Sequence, residues 1–183
     1  MSSLSLALVF FLAVSVLGAA AEEAVFEHLI GSGPEDWWIT YPDQHSYAGS
    51  SVEHPSWALD PLEERPVMIL FHSSHCAACV QQEAAIIRVL GALGDEVAYQ
   101  DVLTESEYEK GWGGLLVYYP QGDPRADPIY VPLTVFLTLG PGPGGGTEVV
   151  WHSAVGSTGE RRIRSYLSDA VARYDEASRS WER

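Results

Sequence analysis

Val67-Met68-Ile69-Leu70-Phe71-His72-Ser73-Ser74-His75-Cys76-Ala77-Ala78-Cys79 is the stretch that decides the fold. Val67 to Phe71 is a continuous apolar run. That pattern fits a strand covered on both faces rather than one with a wet side. Two serines and a histidine break it, and Cys79 opens a helical pattern. Cys76 and Cys79 are the only cysteines in 183 residues, so any intramolecular disulfide must close here. A bridge across so short a loop removes little chain entropy, less than the roughly 3 kcal/mol attributed to a 15-residue loop. It is a poor staple and a well-placed reversible switch. The first thiol meets the N-terminus of a helix, where unpaired N–H groups and the helix dipole stabilise a thiolate. A free thiol pKa of about 8.5 falls to about 3.5–7.5 in such settings.

Working outward, Cys79 to Leu93 reads as a helix with Val80, Ala84, Ile87, Leu90 and Leu93 near a 3.6 period, closed by Gly94. Val97 to Leu103 is a second strand. Glu105 to Tyr119 has helical character interrupted by Gly111, Gly113 and Gly114. Gln121 to Pro128 is a loop with two Asp-Pro turns. Leu133 to Leu139 and Thr147 to Trp151 are strands joined by the Gly/Pro-rich hairpin Pro141 to Gly146. Thr158-Gly159-Glu160 leads into a helix through Tyr174, with Ile163, Tyr166, Leu167, Ala170 and Val171 on one face. Strand, helix, strand, helix, hairpin, helix is an α/β layer pattern with a mixed sheet. Its first three elements should form a right-handed crossover between parallel strands.

Upstream, Leu4 to Leu17 is apolar apart from Ser5 and Ser15, and Gly18-Ala19-Ala20-Ala21 and Glu22-Glu23 follow. This reads as a signal peptide over 1–21. The expectation is an extracytoplasmic or secreted protein, or a membrane-tethered one if the segment stays uncleaved. Residues 22–55 read as an N-terminal extension packing on a domain over 56–183. Trp37, Trp38, Tyr41 and Trp57 are expected in its core or as a lid. The net charge is −15 and Lys110 is the only lysine. No basic patch is available for phosphates, which disfavours nucleic acid as a partner. Arg161, Arg162 and Arg164 read as the exposed face of a helix start. Glu105, Glu107 and Glu109 read as a solvated face.

The chain resembles the thioredoxin-fold family over roughly residues 56 to 177. Carrying the resemblance are Val67 to Phe71, Cys76-Ala77-Ala78-Cys79 at a helix start, Val131-Pro132 before the strand Leu133 to Leu139, and the closing hairpin and helix. It implies a thioredoxin-like three-layer α/β/α sandwich with a mixed central sheet. It also implies catalysis of thiol–disulfide exchange with protein thiols and disulfides. Cys76 matches the family's attacking cysteine and Cys79 its resolving cysteine, the two forming a disulfide when oxidised. Pro132 matches the cis-proline, with the Val131 backbone presented to substrate. No cofactor is implied, only a redox partner that resets the pair.

The chain also departs from thioredoxin itself. His75 replaces a tryptophan, Ala77-Ala78 replaces Gly-Pro, and Leu70 replaces a buried acid. His75 and His72 are the candidate redox-tuning groups, since imidazole titrates near neutral pH. The rival reading is a non-enzymatic binding module, with His72, His75, Cys76 and Cys79 as a zinc or copper set. Against the metal, four ligands within eight residues would have to converge across one strand-to-helix turn, so the metal assignment is none.

Overall fold

The computed structural model describes residues 27–106 and 108–181. The expected signal segment and the start of the extension lie outside the described residues.

Four strands form one sheet: β1 (Val67–His72), β2 (Ala98–Leu103), β3 (Leu133–Pro141) and β4 (Thr147–Val155), in the order β2-β1-β3-β4. β1 and β2 are parallel, with α2 (Ala77–Leu93) between them in sequence, while β3 runs antiparallel to both β1 and β4. The helices are completed by α1 (Ser56–Leu59), α3 (Gly114–Tyr118) and α4 (Glu160–Ala177).

The continuous apolar run of β1 is explained by burial on both sides. Val67, Ile69 and Phe71 join one core with Leu115, Tyr118, Val135 and Leu137. Met68 and Leu70 join the other with Ile86 and Val89 of α2, Phe136 of β3, and Ile163 and Leu167 of α4. These are the two faces of a pleated strand. The result is the three-layer α/β/α sandwich with a mixed sheet that the resemblance implies.

α2 corrects the sequence reading. Its buried residues are Cys79, Gln82, Ala85, Ile86 and Val89. Val80 and Ile87 are 66% and 69% exposed. The helix has apolar residues on two faces, and the one that includes a cysteine and a glutamine turns inward. Gly94 ends it at φ 61°, donating its N–H to Leu90, a conformation that glycine adopts without Cβ strain.

The segment expected as a helix over 105–119 begins with a turn, then a π-helical turn at Glu109–Gly113, and only then α3. Its glycines allow close approach: a Cβ on Gly114 would lie 2.6 Å from the Phe71 ring. β4 and α4 both run further than their patterns indicate, to Val155 and Ala177.

The extension packs along the outside of β4. Trp38 exchanges both backbone hydrogen bonds with Trp151. Adjacent residues point to opposite faces, so Trp37 enters one core and Trp38 the other, both fully buried. Trp37 Nε1 donates to the carboxylate of Asp169 on α4 at 2.7 Å. That carboxylate also accepts from the His28 backbone N–H and lies 3.2 Å from the Arg173 guanidinium. Asp169 is 2% exposed, so these partners make its burial tolerable. Arg162, expected on an exposed face, reaches Glu35 at 2.9 Å and lies over the Tyr166 ring.

Candidate functional site

The two cysteines sit where β1 gives way to α2. Cys76 is the residue that caps α2, in an extended conformation, and its sulfur accepts the Cys79 backbone N–H at 3.1 Å. The sulfur thus occupies the place that a capping oxygen fills in most helices. Cys76 and Cys79 form a disulfide, with their Cα atoms 5.2 Å apart. The two ends are unequal. Cys76 is half-buried, whereas Cys79 is 1% exposed and sits on the inner face of the helix. Only the first sulfur is open to an incoming thiol or thiolate.

Facing the pair is the start of β3. The Val131–Pro132 peptide bond is cis. The carbonyl oxygen of Val131 lies 3.7 Å from Cys76 Sγ. Pro132 is buried and Val131 half-buried. A half-buried cysteine capping a helix, a buried second cysteine, and a cis-proline across from them stand on a β2-β1-β3-β4 mixed sheet. The fold is thioredoxin-like.

Two solved thioredoxins are similar to this chain. A chloroplastic thioredoxin z shares 11% identity, covering 66% of this chain and 92% of its own, with a TM-score of 0.45. A thioredoxin from Thermus thermophilus shares 25% identity, covering 61% of this chain and 77% of its own, with a TM-score of 0.39. No family model matches the chain, and no curated protein does.

Around the thioredoxin-like site, the two candidate histidines differ. His75 is exposed beside Cys76. His72 turns away toward β2 and α2, with Nε2 2.9 Å from Asp101 and Nδ1 3.4 Å from Glu83. It links two strands and a helix at the site end of the sheet. With both ring nitrogens directed at carboxylates, His72 does not converge with His75 and the cysteines. Among the described residues, no group of three or more His, Cys, Asp or Glu side chains is placed to hold a metal ion.

Thr134, Gln82 and Glu105 have places at the site that the sequence reading did not give them. Leu70, fully buried, pairs with Thr134 across β1 and β3. Gln82, one helical turn after Cys79 and equally buried, donates Nε2 to Thr134 Oγ1 at 2.7 Å. Its Oε1 accepts the Thr158 backbone N–H. A neutral amide–hydroxyl pair thus lies in the inner layer beside Leu70. The signal was present: Cys79, Gln82, Ile86 and Val89 follow helical spacing, and a glutamine on a core stripe is unusual.

Glu105 is the third. Its Oε1 accepts from Ser73 Oγ at 2.6 Å and from both the backbone N–H and Oγ of Ser74 at 3.2 Å. Its Oε2 accepts from Thr104 Oγ1 at 3.0 Å. These hydrogen bonds, the one from Ser73 first, hold the carboxyl down at about 2 although it is fully exposed. Glu105 therefore grips the turn that delivers Cys76, rather than lying on a free solvated face.

Proposed function

We propose that this protein is a thiol–disulfide oxidoreductase acting on protein substrates outside the cytosol. The observation that carries the reading is the asymmetric Cys76–Cys79 disulfide at the start of α2, opposite the cis Val131–Pro132 bond. In the reducing direction, the Cys76 thiolate attacks one sulfur of a substrate disulfide. A Cys76–substrate disulfide forms and the other substrate sulfur leaves as a thiolate. Cys79, deprotonated, then attacks Cys76 Sγ, reforming the internal disulfide and releasing the second substrate thiolate. Two electrons pass to the substrate. In the oxidising direction the same steps run backward. A second redox protein resets the pair, and no cofactor takes part in either step.

The helix N-terminus favours thiolate at Cys76. The Val131 carbonyl beside the sulfur marks where an extended substrate backbone lies during exchange. His75, exposed and next to Cys76 in the chain, favours the thiolate further when protonated. The signal-peptide pattern of residues 1–21 supports the extracytoplasmic placement.

Cys79→Ala should trap substrates as mixed disulfides on Cys76, resolved by reducing agent on gels and by intact mass. Reactive Cys76 with no trapped species would falsify the exchange reading.

A further inference from the structure

β4 is an outer strand of the sheet, and its ladder shows where its backbone groups point. Trp38 and Trp151 exchange N–H···O=C bonds of 2.7 and 2.9 Å, so the backbone of Trp151 faces away from β3. In an antiparallel ladder that orientation repeats at every second residue. The N–H and C=O groups of Ser153 and Val155 therefore face outward as well, while Ala154 is paired with Thr134. The inward bond from Gly156 N–H to Pro132 O keeps the same phase. Trp38 covers only the first of these outward positions. On that side the backbone groups of Ser153 and Val155 have no hydrogen-bond partner among the described residues.

These groups are not on an open surface. Ser153 is 3% exposed. The edge forms one wall of a groove of about 600 Å³ that is also lined by Pro34, Gln44, Pro120 and Arg162. Unpaired backbone donors and acceptors at a residue as buried as Ser153 are costly to leave unmatched. Pairs of them two residues apart match another extended backbone and little else. Pro34 and Pro120 contribute no N–H of their own to compete.

We propose that this groove takes an extended segment of the protein substrate, added as a strand on the outer edge of β4. The proposal rests on the exchange reading. Val155 pairs with Leu133, the residue after the cis-proline, and the carbonyl of Val131 touches Cys76 Sγ. One strand spacing of about 4.8 Å therefore separates the groove edge from the segment that faces the sulfur. A bound strand lies on the same rim of the sheet as the reacting disulfide. A second copy of this chain is a poor occupant, because two chains of net charge −15 repel.

The test uses the full chain carrying Cys79→Ala, with insulin as the probe. Intact mass first establishes the Cys76–insulin mixed disulfide. Amide hydrogen exchange at Ser153 and Val155 is then compared with the free variant by NMR. The expected result is exchange about tenfold slower at both amides in the mixed disulfide. Unchanged exchange overturns the proposal. Protection already present in the free protein means that the chain itself fills the groove and also overturns it, as does protection that grows with protein concentration without insulin. If no mixed disulfide forms, the mass alone shows that the exchange reading has failed and this proposal with it. Val155→Pro gives a second reading, since it removes an outward N–H and no β3 bond. The ratio of kcat/KM for insulin to that for glutathione disulfide should fall about fivefold; an unaltered ratio in the folded variant overturns the proposal.

Discussion

Leu70 and Thr134 face each other across β1 and β3, and the Thr134 hydroxyl accepts from Gln82, one turn beyond Cys79. The buried polar pair one turn beyond Cys79 therefore contains no ionisable group. Gln82→Ala would strand the Thr134 hydroxyl and the Thr158 N–H in a buried place. Urea unfolding should show a loss of about 2–4 kcal/mol, from the two orphaned groups together with the cavity. A loss below about 0.5 kcal/mol would mean that the pair contributes little.

Glu105 should act on the redox pair through the turn. Its carboxylate gathers Ser73 and Ser74, three and two residues before Cys76. Glu105→Ala is expected to slow exchange severalfold and to shift the reduction potential measured against glutathione. Glu105→Gln, which keeps an acceptor oxygen, should restore part of both. If Ala and Gln variants have the wild-type potential, the carboxylate does not position the site.

Four histidines give stability a pH dependence of definite sign. Burial holds His54 at about 4 and His152 at about 3, and lowers His28 and His45 as well. An unfolded histidine titrates at about 6.5. Below that value the unfolded chain takes up protons that the folded chain refuses. Stability is thus complete above about pH 6.5 and falls as the pH drops toward 4 and 3. Each fully refusing group contributes about 1.4 kcal/mol per pH unit. Chemical denaturation between pH 7 and pH 4 should show the fall, and His54→Phe should flatten it by one group. A slope unchanged in that variant would show that His54 protonates freely in the folded protein.

Alkylation of the reduced protein should be strongly one-sided. Cys76 lies open at the helix start, whereas Cys79 is buried on the inner face. Iodoacetamide should label Cys76 first, with a pH midpoint below the free thiol's value of about 8.5. His75→Ala should raise that midpoint. Equal labelling of both sulfurs would contradict the burial of Cys79.

The parts of this fold that local chemistry dictates are legible in the chain. β1 announces itself because both of its faces are buried, and the helix after it because the cysteine spacing and Gly94 bracket it. What escapes is whatever depends on a distant partner. Val80, Ala84 and Ile87 have the period of a core stripe, yet the neighbouring stripe is the one that meets α4 and β3. Asp169 looks like an ordinary surface acid until Trp37, far upstream, donates to it. Glu105 reads as one of three solvated carboxylates until the serines thirty residues earlier fold onto it.

Trp37 and Trp38 are neighbours in the chain, but each is sealed inside a different layer of apolar side chains. A short stretch outside the sheet therefore acts as a rivet through both layers. Residues 56–183 carry the motif, but part of each apolar layer beside the sheet comes from the two tryptophans upstream of them. A fragment that began at Ser56 would lose a fully buried tryptophan from each side of the sheet at once.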